Sequence, residues 1–117
     1  MSSTRLLPLL LVAASAPHPV RHPATPTCLA RHDGVALSSV SVFDGPTSEH
    51  ADLVPDGSRT IRGVEVSTWD VAYVYQAGRQ VYASCRYGAS DVVVPVRHPV
   101  KTCRYTVAPA AQTLTCR

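Results

Sequence analysis

Four cysteines are the residues in this chain with the most definite chemistry: Cys28, Cys85, Cys103 and Cys116. In a small exported domain, four cysteines predict two disulfides. No two of them have the short spacing of a zinc knuckle, so the pattern does not indicate metal binding.

The C-terminal segments suggest how these cysteines pair. If residues 101–107 and 112–117 form a hairpin, Cys103 and Cys116 lie opposite each other. This favours Cys103–Cys116 together with Cys28–Cys85. The nested pairing, Cys85–Cys103 with Cys28–Cys116, stays open.

Asp44, His50 and Asp56 are the candidates for acid–base chemistry. Such chemistry requires the groups to converge in a cleft with shifted pKa values. Both aspartates precede glycine, where Asp commonly serves turn geometry. There is no Gly-x-Ser-x-Gly elbow and no phosphate-binding glycine loop. A small envelope hydrolase that uses Asp44, His50 and Asp56 is the alternative hypothesis. The favoured hypothesis has no catalytic residue and no cofactor.

The candidate interaction surface combines the densest basic group with two tyrosines. Basic turns contact acidic partners or anionic polymers, and tyrosine is a common interface anchor. The residues are Arg97, His98, Lys101, Arg104, Tyr75 and Tyr82.

The length and charge of the chain limit its class. Its 117 residues suffice for one domain. The formal net charge of +3 is too weak and too scattered to predict a nucleic-acid partner.

The N-terminus has the pattern of an export signal. Arg5 precedes the apolar run 6–14, and Val12-Ala13-Ala14 supplies small residues for cleavage after Ala14. The run is far shorter than the ~20 residues of a membrane span, so no span is expected after cleavage. We predict a signal peptide at 1–14, a Pro/His-rich flexible leader at 15–27 and one domain at 28–117, located in the periplasm or outside the cell.

The elements that must position these residues are mostly strands. Residues 69–85 predict a hairpin around Gly78, and residues 60–68 predict one strand with a bulge at Gly63. Residues 46–53 predict one or two helical turns starting at Pro46. The expected fold is mostly β, a small antiparallel β-sandwich or curled sheet with one short helix, stabilised by disulfides.

Several motifs taken together resemble a family of short exported proteobacterial proteins of unknown function that carries a locus-tag name. The similar region is about 40–117. The motifs are Ser41-Val42-Phe43-Asp44-Gly45-Pro46, Ala51-Asp52-Leu53-Val54-Pro55-Asp56, Trp69, Cys85-Arg86-Tyr87, Cys103 and Cys116-Arg117. The resemblance implies a periplasmic or secreted, disulfide-bonded domain and supplies no activity.

These observations favour a non-enzymatic binding module for a protein or a cell-envelope component. A structural accessory of an envelope complex is a further alternative, and would expose an apolar patch or a strand edge.

Overall fold

The computed structural model describes residues 25–117. The predicted signal peptide and residues 15–24 of the predicted leader lie outside the described residues. Within the described part, the chain forms nine strands, one 3₁₀ helix and one α-helix. They are β1 (Arg31–His32), β2 (Val35–Ala36), β3 (Ser39–Asp44), the 3₁₀ helix (Thr47–Glu49), β4 (Gly57–Ile61), β5 (Val64–Asp70), α1 (Ala72–Gln76), β6 (Val81–Tyr87), β7 (Ser90–Val96), β8 (Thr102–Val107) and β9 (Gln112–Cys116).

All strand pairings are antiparallel. The strands β1 and β2 form a small hairpin, the order β3-β6-β7 forms a three-stranded sheet, and the order β4-β5-β8-β9 forms a four-stranded sheet. The predicted class, a mostly β antiparallel domain with one short helix and two disulfides, is confirmed. Within residues 25–117, no helix is long and apolar enough to cross a membrane.

One core receives side chains from both larger sheets. On β6, the residues Val81, Ala83, Cys85 and Tyr87 are buried and alternate with more exposed neighbours, because successive side chains of a strand point to opposite faces. The four-stranded sheet contributes three buried side chains to the same core: Trp69, Cys103 and Leu114. The two sheets therefore enclose a common apolar layer, as in a small sandwich.

The predicted hairpin over residues 69–85 is wrong. The chain leaves β5 at Asp70 and forms α1 over Ala72–Gln76, so that β5 and β6 belong to different sheets. Val71 and Val74 are fully buried, and Tyr75 packs against the same core. Spacings of three and four residues place these side chains on one helical face, and their burial outweighs the β propensity of Val and Tyr.

The helix predicted over 46–53 is shorter than expected. Only Thr47–Glu49 are helical, and His50 ends the turn with a left-handed φ of 55°. Residues 51–53 instead run along β3, where the Asp44 amide donates to the Ala51 carbonyl and the Leu53 amide donates to the Val42 carbonyl. These bonds satisfy backbone groups that a longer helix would have paired internally.

The single strand predicted over 60–68 is two strands. Ile61 pairs with Val64, and the two residues between them, Arg62 and Gly63, have φ of 50° and 76°. Two positive φ values in a two-residue loop are typical of a type I′ hairpin turn, so Gly63 serves a turn and not a bulge. The predicted C-terminal hairpin is confirmed, since Cys103 lies opposite Cys116.

Candidate interaction surfaces

The structure contains both disulfides of the favoured pairing. The Cα atoms are 5.6 Å apart in Cys28–Cys85 and 4.0 Å apart in Cys103–Cys116. Cys28 also donates its amide to the Leu114 carbonyl at 3.1 Å. Because Cys85 lies on β6 and Leu114 on β9, Cys28 joins the two larger sheets at one point.

The acid–base candidates do not form one cluster. Asp44 accepts a hydrogen bond from Arg79 Nε at 2.7 Å, whereas Asp56 accepts one from the Asp70 amide at 2.6 Å. His50 is exposed, and among the described residues its side chain forms no hydrogen bond or ion pair. Each aspartate has a local structural partner, so the geometry gives no support to a hydrolase built on these residues.

Arg79, which follows α1, instead connects this segment to the loop after β3. Its guanidinium pairs with the carboxylates of Asp44 and Glu49. The hydrogen bond to Asp44 is the main cause that raises the pKa of Arg79, followed by the hydrogen bond to Glu49. Gly45 lies beneath this group with φ of 86°, and a Cβ there would collide with the Arg79 and Glu49 side chains.

The predicted basic group is divided by the fold. Arg97 and His98 lie in the connection between β7 and β8, where they line a cavity of ≈ 350 Å³ together with Thr25–Thr27 and Val94–Val96. Lys101 is exposed just before β8, and Arg104 is exposed on β8 itself. Arg104 therefore belongs to a face of the four-stranded sheet.

The two candidate tyrosines have different surroundings. The Tyr75 hydroxyl donates to the Val96 carbonyl at 2.7 Å, and burial raises the pKa of this phenol. Tyr75 is thus mainly a packing residue between α1 and β7. Tyr82 lies on the outer face of the three-stranded sheet, opposite Phe43 on β3 and Pro95 on β7, and is half-buried.

The outer face of the four-stranded sheet carries arginines among threonines. We call it the arginine–threonine face; its residues are Arg59, Val66, Thr68, Arg104, Thr106 and Thr115. The registers place Arg59 beside Val66 and Val66 beside Thr106, and they place Thr68 beside Arg104 and Arg104 beside Thr115. Trp69 and Cys103, directly opposite each other, point to the core, so their neighbours Thr68 and Arg104 point away from it.

Sequence reasoning found Arg104 and missed Arg59. Arg59 reaches this face only through the β4–β5 hairpin, where the sequence predicts a single strand over residues 60–68. The available signal was the dipeptide Arg62-Gly63, since a two-residue loop ending in Gly between β-rich segments is typical of a hairpin.

No group of three or more His, Cys, Asp or Glu side chains that could hold a metal ion occurs within residues 25–117. The described residues offer solvent-facing surfaces on both larger sheets and a cavity at the β7–β8 connection.

The fold and its surfaces define a small β-sandwich with two disulfides and solvent-facing sheet surfaces suited to contacts with other molecules. Residues 30–117 match the model of the Type VI secretion system Tli immunity protein family, and the chain belongs to this family. The matched region begins ten residues before residue 40, where the resemblance noted in the sequence begins, and leaves Cys28 just outside it. No curated protein and no solved structure matches the chain.

Proposed function

We propose that the protein binds an effector toxin of the type VI secretion system in the periplasm and neutralises it. The family match over residues 30–117 is the observation that carries this proposal, because the family consists of immunity proteins of that system. An immunity protein acts on another protein, so the family favours a protein partner and gives no support to the envelope-polymer option.

The compartment follows from the cysteine chemistry together with the predicted signal. All four cysteines within residues 25–117 are paired and none is free. Disulfides persist in the periplasm and outside the cell and are rare in the cytosol. Both bridges and the apolar segment at 6–14 support export before folding is complete.

A rigid domain suits a protein that has to bind and neutralise a toxin. A stable protein–protein interface buries roughly 1,200–2,000 Å² in total, and a sheet face can contribute a flat part of that area. Of the residues predicted for the interface, Arg97, His98, Lys101, Arg104 and Tyr82 remain candidates; the hydroxyl of Tyr75 is already engaged inside the fold.

The proposal is tested by contact competition. A strain in which the gene is deleted is grown against its parent, whose type VI secretion system is active. We expect the deletion strain to be killed, and to recover when the full chain is restored. Killing must disappear when the attacker's secretion apparatus is inactivated.

One control tests the compartment. A chain without residues 1–14 is retained in the cytoplasm and should not protect, because neither the compartment nor the disulfides would be available. Equal survival of the deletion strain and its parent in contact competition would contradict the proposed function.

A further inference from the structure

We infer that the arginine–threonine face is the surface that docks the effector, and that it meets an acidic, carboxylate-rich patch of that protein. The inference rests on the proposed function and adds to it the surface used and the chemistry of the partner's matching surface.

The first observation is that this face is uncovered. On this face Val66 is buried and the threonines are half-buried, whereas Arg59 on β4 and Arg104 in the interior of the sheet are exposed. If another element of residues 25–117 lay over the face, the two arginines would be buried. The face is therefore available to a second molecule.

The second observation is its unbalanced charge. Neither Arg59 nor Arg104 forms an ion pair within residues 25–117, in contrast to Arg79 and Arg86, which pair with carboxylates. By strand alternation, Arg117 after β9 points to the same side, and Asp70 at the end of β5 is the acidic residue on it. This side of the sheet therefore carries three arginines and one aspartate.

The third observation is the shape between the charges. Val66 is 3% exposed although it does not belong to the core cluster, so its neighbours on this face cover it. Gly57 has no side chain and leaves a concavity of ≈ 280 Å³ lined by Arg59, Val66 and Thr68. The face thus combines a small concavity with the exposed guanidinium groups of Arg59 and Arg104.

These features select a carboxylate-bearing protein surface as the occupant. Guanidinium groups bind carboxylates with two parallel hydrogen bonds, and threonine hydroxyls donate to or accept from side chains between them. Complementary charge across an interface increases the association rate and suppresses wrong partners. A patch of Asp and Glu on the effector would satisfy both arginines together.

The experiment uses the same contact competition with the full chain carrying Arg59→Glu and Arg104→Glu. Charge reversal places like charges against the acidic patch, and we expect survival to fall toward that of the deletion strain. Arg59→Lys with Arg104→Lys keeps the charge and should keep most of the protection. Arg31→Glu, the same kind of charge reversal at a single exposed site on β1 away from this face, is the control and should protect fully.

Folding and a lipid alternative are measured on the purified variants. If the double Glu variant does not retain the wild-type thermal unfolding, the double Gln variant replaces it and should lose protection in part. Binding of the wild-type chain, but not of the double Glu variant, to vesicles of phosphatidylethanolamine and phosphatidylglycerol would assign the face to anionic lipid and overturn the inference.

The outcomes separate the two proposals. Full protection by a folded double Glu variant, in a background where deletion is lethal, refutes the docking face and leaves the immunity function intact. Survival of the deletion strain refutes the immunity function and the docking face with it.

Discussion

Trp69 donates a hydrogen bond from its indole Nε1 to the Leu53 carbonyl at 2.9 Å. Trp69 is 4% exposed and belongs to the core, whereas Leu53 lies in the segment that runs along β3. One side chain of the four-stranded sheet therefore holds a loop that borders the three-stranded sheet.

Trp69→Phe should destabilise the fold while preserving it. The variant keeps an aromatic ring but leaves the Leu53 carbonyl without its donor, which costs about 1–3 kcal/mol when a polar group remains buried. Urea unfolding followed by far-ultraviolet circular dichroism measures the change. A loss below about 0.5 kcal/mol, the range of neutral surface substitutions, would show that water replaces the indole.

Removal of the two disulfides should have unequal effects. Cys28–Cys85 closes a separation of 57 residues and Cys103–Cys116 one of 13. In the chain-entropy description, the longer loop contributes ~4 kcal/mol and the shorter ~3 kcal/mol. Both cysteines of one pair are replaced by alanine at a time, and each variant is unfolded in urea without reductant. The variant without Cys28–Cys85 should lose more unfolding free energy than the variant without Cys103–Cys116. The reverse ranking would mean that packing around Cys103 outweighs loop entropy.

Stability should decline at alkaline pH in part through Tyr75. Burial raises the pKa of this phenol above its ordinary 10.0, so the folded state holds the proton more tightly than the unfolded chain. The stabilisation is complete below pH 10.0 and is lost as the pH rises through the higher folded value. The phenolate could no longer donate to the Val96 carbonyl.

The Tyr75→Phe variant isolates this contribution. It loses one hydrogen bond, about 0.5–1.5 kcal/mol, at neutral pH, and its unfolding free energy should fall less steeply above pH 10.0 than that of the wild type. If the unfolding free energy falls equally steeply with pH in both proteins, the alkaline loss of stability comes from other groups. Tyr105 is the next residue to test, because burial also raises the pKa of its phenol.

Gly45→Ala should cost more than Gly34→Ala. Both glycines have positive φ, 86° and 77°, so both substitutions carry the left-handed strain of about 1–2 kcal/mol. A Cβ at Gly34 meets open space, whereas one at Gly45 displaces the Arg79 guanidinium. In a background that carries both Arg79→Ala and Glu49→Ala, which removes the two side chains that a Cβ at Gly45 would meet, the excess cost should disappear. An excess that persists there would place its origin in the backbone of the loop.

The sequence was sufficient where local pattern and long-range pairing agree. The alternation of Val81, Ala83 and Cys85 describes β6 correctly, and the hairpin that opposes Cys103 to Cys116 also favours the observed disulfide pairing. In these segments the side-chain period of two is decisive, because one face is buried and the other is not.

The sequence did not predict the features that depend on tertiary packing and strand order. The five residues of α1 are too few for local helix propensity to show, and Val and Tyr favour strands. The arginine–threonine face was hidden for another reason: Arg59 and Arg104 lie on opposite sides of β5, and only the strand order β4-β5-β8 brings them to one surface. Such an order cannot be read from the composition of any single strand.

The position of Cys28 has a mechanical consequence. A covalent bond to β6 and a backbone hydrogen bond to β9 attach one residue to both layers of the sandwich, so the layers resist sliding or parting when a load is applied to an outer face. A partner seated on either sheet meets a surface whose shape is fixed before contact. Little entropy is then lost on ordering this protein during association, and a preorganised surface of this kind binds more tightly for the same contacts.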